Sequence, residues 1–125
     1  MRDLVSNIRV VPAVAPAVLT ATTPSSAIDL QGAGSAAVLI NTGAIVGSGK
    51  FAPSLQESTD NSTWSDVAAD DILGTLPAEL AASSAYKVGY RGTKRYFRVV
   101  LTLVSGTSIA ASVVVALGDL DSTSA

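Results

Sequence analysis

Two of the side chains that most often run reactions are missing altogether, because the sequence contains no histidine and no cysteine. That removes the commonest general base, the commonest transition-metal ligand, the thiolate nucleophile and any disulfide. The chemistry that remains belongs to carboxylates, lysine, arginine and hydroxyls. Asp66, Asp70, Asp71 and Glu79 are the residue types of a glycoside acid/base pair or of oxygen ligands for Ca²⁺, but their spacing fits no calcium loop and reads as solvated loop carboxylates. Gly32-Ala33-Gly34-Ser35-Ala36-Ala37 spells a dinucleotide fingerprint. The fingerprint needs a helix N-terminus behind it to hold a pyrophosphate, and Val38-Leu39-Ile40 reads as strand. Gly47-Ser48-Gly49-Lys50 imitates the end of a phosphate loop, yet Phe51 stands where a Mg²⁺-binding hydroxyl is required. These readings predict a chain without catalytic residues, metal or cofactor.

Arg91, Lys94, Arg95 and Arg98 lie among Tyr90, Tyr96 and Phe97, which is the composition of a base-stacking, phosphate-neutralising surface. Strand alternation argues against that use. Arg95 falls on the parity of Phe97 and Val99, and Tyr96 on that of Arg98, so charge and aromatic rings are not sorted onto one face. No nucleic-acid partner is expected, and these four cations read instead as contacts to a neighbouring subunit or loop. Asn61-Ser62-Thr63 is a glycosylation sequon by letter and a turn by context.

The elements that must position these groups are strands. Hydrophobic residues make up 48% of the chain and charged ones only 14%, about half the usual charged share, with a net charge of -2. A surface so poor in charge suits contact with other protein. Short runs of β-branched and aromatic residues recur between Gly, Pro, Asn, Asp and Ser, and helical periodicity is nearly absent. Ile8 to Val11 reads as a first strand or an arm, and strands are expected at 18–22, 28–30, 36–42, 51–58, 63–68, 86–91, 95–104 and 109–117, the last three forming one sheet in which 109–117 is joined to its predecessor by a tight hairpin at Ser105-Gly106-Thr107. The spacing predicts an all-β, antiparallel β-sandwich of about seven or eight strands, jelly-roll or immunoglobulin-like. The run Val38-Leu39-Ile40 suits burial on both faces or close packing of small residues. In 51–58 the face carrying Phe51 and Leu55 should point inward, and Pro53 marks this strand as an edge or a bulge.

Domain organisation follows: residues 1–16, interrupted by Pro12 and Pro16, form an extended N-terminal arm; 17–120 form the single sandwich; 121–125 form a short polar tail. Arg2 and Arg9 before an apolar run loosely imitate a signal peptide, but Asp3 and the two prolines spoil it. No run is long enough for a membrane helix, and no membrane partner is expected.

The segment Leu55-Gln56-Glu57-Ser58-Thr59-Asp60-Asn61-Ser62-Thr63-Trp64-Ser65-Asp66-Val67 resembles a hairpin of small β-sandwich proteins in tailed bacteriophage particles, and loosely resembles the Asp-box turn. In such a turn the Asp60 carboxylate accepts from the amides just after it, Asn61 takes the left-handed conformation, and Trp64 pins the returning strand to the core. Arg95-Tyr96-Phe97-Arg98-Val99-Val100, Gly106-Thr107 and Val113-Val114-Val115-Ala116-Leu117-Gly118 are similar to the closing strands of the same proteins. The sequence departs at Ser62, where such turns usually carry Gly. The resemblance implies a virion structural protein of the head decoration (cement) type, made in the host cytoplasm and placed on the capsid surface. Its partners would be the major capsid protein and/or copies of itself, met through Arg2, Arg9, Val11, Pro12, Arg91, Lys94, Arg95 and Arg98. Neck, tail and baseplate positions stay open. A carbohydrate- or receptor-binding sandwich, with a host-surface glycan as its partner and Trp64, Tyr86 and Tyr90 as its platform, is the other reading.

Overall fold

The computed structural model describes residues 8–31, 35–92 and 94–118. Ten strands run in chain order: β1 (Ile8–Leu19), β2 (Thr23–Pro24), β3 (Ile28–Asp29), β4 (Ser35–Val46), β5 (Lys50–Ser58), β6 (Ser65–Asp66), β7 (Ile72–Leu73), β8 (Ala85–Tyr90), β9 (Tyr96–Ser105) and β10 (Ser108–Gly118). They form two antiparallel sheets. The front sheet has the order β1-β10-β4-β8-β7, and the back sheet β2-β9-β5-β6 with β3 also on β9. If β2 and β3 are counted as one interrupted strand and the two-residue β7 as an edge fragment, eight strands remain. Nearly every connection among them crosses from one sheet to the other, which is the jelly-roll topology and not the immunoglobulin one.

The core is the layer between the sheets. Val38 and Ile40 of β4, and Ile109, Val113, Val115 and Leu117 of β10, meet Phe51 and Leu55 of β5 and Phe97, Val99 and Leu101 of β9. All of these are at most 2% exposed. Their period of two is the reason these segments are strands, since burying the alternate side chains of one face gains about 25 cal/mol for each Å² of apolar area removed from water. Tyr90 closes one end of the core, its ring stacked on Phe97 at 5.0 Å between centroids.

Four expectations are corrected. Residues 8–16 are extended, as an arm would be, but they are paired: β1 runs unbroken along β10 from Ile8 opposite Gly118 to Leu19 opposite Ile109. The prolines are tolerated because β1 is an edge and shifts register between Pro12 and Val14 and between Val14 and Ala17. Residues 1–7 and 119–125, the rest of the expected arm and the polar tail, lie outside the described residues. The Ser105-Gly106-Thr107 turn does not make a hairpin, because β9 and β10 belong to different sheets and stack face to face. It is an arch packed against the β4–β5 arch, and Gly106, at φ +82°, approaches the Ser48 carbonyl too closely for any Cβ. The segments 86–91, 95–104 and 109–117 therefore do not form one sheet. Finally, Val38-Leu39-Ile40 is not covered on both faces, because Leu39 points outward and is 39% exposed.

Pro53 fits its position. It pairs with Leu101 on one side, whereas β6 reaches β5 only at Gln56 and Glu57, so β5 is an edge at the proline.

Candidate interaction surfaces

Four of the eight residues predicted to meet a partner gather at one end of the sandwich. Arg9 opens β1, Arg91 and Lys94 sit in the β8–β9 connection, and Arg95 precedes β9. This end also holds Asp29, where Arg95 donates from Nε and Nη2 to the two carboxylate oxygens, each at 3.0 Å. The arginine hydrogen bond, the Gln31 amide and the Arg9 charge hold the Asp29 carboxyl below its usual range. Both partners remain nearly half exposed, so solvent screening leaves the pair little net stabilisation. It is the one salt bridge among the described residues. Arg9, Arg91 and Lys94 are exposed. Val11 is half-buried against the core, and Pro12 is exposed on β1. Arg2 lies outside the described residues.

Arg98 goes elsewhere. It projects from the outer face of the back sheet, donates to Gln56 Oε1 at 2.9 Å and lies over the Trp64 ring at 4.5 Å. Gln56 in turn donates to Asp66 at 3.4 Å. Trp64 is thus half-buried outside the sheet under a guanidinium, not in the core as expected. The reason is positional: β6 begins only at Ser65, so strand alternation does not orient Trp64, and the outward Arg98 offers its ring a cation.

The turn that delivers Trp64 behaves as its residues dictate. Asp60 Oδ1 accepts from the Ser62 and Thr63 amides, each at 2.9 Å, and from Ser58 Oγ at 2.9 Å, while Asn61 takes φ +61°. These three donors favour the carboxylate form and lower the Asp60 pKa. All three of these bonds go to one carboxylate oxygen, Oδ1, and all come from its own loop.

The remaining candidate chemistry does not assemble. Among the described residues no three Asp or Glu come close enough to hold a metal ion. Asp71 uses its carbonyl to accept from the Arg91 amide. Ser35, Ala36 and Ala37 start β4 and not a helix, and Gly47-Ser48-Gly49 is the β4–β5 arch; residues 32–34 lie outside the described residues. The three aromatic residues of the sugar-platform reading are dispersed. Tyr90 is 4% exposed and donates to Glu57 at 2.8 Å, Tyr86 accepts from the Ala81 amide, and Trp64 belongs to the other sheet. Burial and the Glu57 carboxylate push the Tyr90 phenol far above its ordinary value.

The largest feature was not among the predicted site residues. On the outer face of the front sheet two neighbouring rows are apolar apart from one lysine, flanked by the more polar row Ser112, Asn41 and Ala85. In register run Val10, Ala116, Ala37, Gly89 and Leu73, and beside them Pro12, Val114, Leu39 and Lys87. Val10 is 58% and Leu73 52% exposed. Lys87 is the one charged side chain in these two rows. The signal was present in the sequence as the continuous runs at 36–40 and 113–117, since strands covered on both sides read as unbroken apolar segments.

Comparison with protein-family models finds no match, and comparison with curated proteins finds none either.

Proposed function

We propose that the chain is a non-enzymatic structural module of a virus particle, a head decoration protein that adds to the capsid surface of a tailed bacteriophage. The observation that carries this reading is the open apolar face of the front sheet. Monomeric proteins rarely leave a contiguous apolar patch of more than a few hundred Å² in water, and such a patch marks a protein contact. The jelly roll supports it as an architecture common in capsid proteins, although the same fold serves lectins, so the fold alone does not choose. The charged end supplies the complementary half of the proposal. Arg9, Arg91 and Lys94, exposed at one end, are the groups offered to carboxylates of a capsid subunit, where charge sets register and the rate of docking more than affinity.

The test is to incubate the purified chain with expanded, undecorated capsids from the same phage and image the particles by cryo-electron microscopy. The proposal expects saturable added density at symmetry-related positions, reduced at least tenfold in affinity by the double substitution Arg91→Ala, Lys94→Ala. Bare capsids at saturating protein would contradict it.

A further inference from the structure

The assembly reading says that protein covers the front face; the shape and size of that face point to which protein. We infer that the outer face of the front sheet is covered by the same face of a second copy of this chain, forming a two-fold, sheet-on-sheet dimer. The inference rests on the assembly reading only in taking the face to be an interface, and it does not require a capsid.

Three observations carry it. The first is area. Strands of 12, 11, 12, 6 and 2 residues make up the sheet, and at about 3.3 Å per residue and about 4.8 Å between strands they cover roughly 700 Å². A stable interface needs about 600 to 1,000 Å² from each partner. The face alone supplies that.

The second is relief. Pro12, Val114 and Leu39 form a ridge across β1, β10 and β4. On one side of it lies a trough of about 520 Å³ floored by the small residues Ala37, Gly89 and Ala116 and walled by Leu73 and Lys87. Ridge and trough are neighbouring side-chain rows, about 7 Å apart along the strands. A two-fold axis lying between the two facing sheets, parallel to the rows and midway between ridge and trough, seats the ridge of each copy in the trough of the other. Such an isologous contact closes on itself and leaves no further face open. Lys87, at the trough wall, keeps its ammonium in water while its stem packs.

The third is the closing of other routes. Growth by strand addition at β1 is blocked by Pro12, Pro16 and two register shifts, the devices that blunt an edge. At the opposite edge β7 offers two residues. No aromatic ring stands in the two registered rows, so the face is no stacking platform for a sugar. What it offers is an aliphatic surface that reads as one half of a second sandwich layer, at the usual separation of about 10 Å between packed sheets.

Sedimentation equilibrium of the full chain, without capsids, tests this. Between about 1 and 100 µM the mass should rise from 12.6 kDa toward twice that value. Leu39→Lys should weaken the association at least tenfold, and Thr102→Lys, on the outer face of the other sheet, should leave it unchanged. A monomer throughout, or equal loss in both variants, would overturn the inference. Should Leu39→Lys fail to fold, the milder Leu39→Cys introduces a unique thiol into a chain that has none. A short bis-maleimide should then link copies through position 39 and not through Thr102→Cys; the reverse pattern would also overturn it. A monomer that still decorates capsids defeats the dimer and leaves the proposed function standing, whereas a dimer that leaves capsids bare does the opposite.

Discussion

The two outward faces of this sandwich belong to sheets of similar make, yet they are finished differently. On the back sheet, outward positions carry Gln56, Tyr96, Arg98 and Thr102 beside Val100 and the exposed Val104, and the two large polar groups are engaged: Arg98 spans Gln56 and Trp64, and Gln56 reaches Asp66. On the front sheet the equivalent positions carry Val10, Leu39, Leu73, Val114 and Ala116. The polar groups of the back face are satisfied within the chain. The two central rows of the front face are aliphatic, with Val10, Leu39 and Leu73 standing exposed. The difference lies in how the polar side chains are placed: those of the back face bond one another, whereas the two apolar rows of the front face are interrupted only by Lys87.

The contrast between covered and uncovered positions can be broken most forcefully on β4 itself, where neighbours face opposite ways. Ile40 is 1% exposed, so Ile40→Ala should cost about 2–5 kcal/mol in urea unfolding of the dilute chain. Leu39→Ala, one residue away, should cost less than about 1 kcal/mol there, because it removes no packed neighbour layer. Equal costs would mean that Leu39 is already covered within one chain.

A smaller effect is expected from pH. Asp60 and Asp29 have folded pKa values below their ordinary carboxylate values. The unfolded chain then binds protons first on acidification. Their stabilisation is present above the ordinary carboxylate pKa of about 4 and is lost as pH falls through the lower folded values. Urea midpoints should therefore decline below about pH 4, and Asp60→Asn should flatten part of that decline. An unchanged slope in the variant would remove Asp60 from the account.

On the back face, Arg98→Ala should cost about 0.5–1 kcal/mol through the lost ring contact and hydrogen bond. It should also red-shift the emission of Trp64, the one tryptophan in the chain. Unchanged emission would show that the guanidinium does not cover the ring. Arg95→Ala should be the least of these, with no resolvable change in midpoint at 0.15 M salt, since its bridge to Asp29 is exposed.

What the sequence made legible was local. The Asp60 turn could be read because the carboxylate, its amide donors and the left-handed Asn61 lie within a few residues. The inward parity of Phe51 and Leu55 was readable for the same reason. Sheet membership was not, because the turn at 105–107 is compatible with both a hairpin and an arch. Only the distant pairing of β10 with β1 and β4 decides between them. The Val38-Leu39-Ile40 run named the need for two covering layers without saying that one chain provides only one. Trp64 was misplaced because the strand that would have oriented it starts one residue later.

The central claim is that the front face is a protein interface and the back face is not. Hydroxyl-radical footprinting of the full chain at about 1 µM and about 100 µM, read residue by residue by mass spectrometry, tests it most directly. The account predicts that labelling of Leu39 and Leu73 falls several-fold with concentration while that of Val104 and Tyr96, on the back sheet, stays constant. Labelling of all four that is independent of concentration would contradict it.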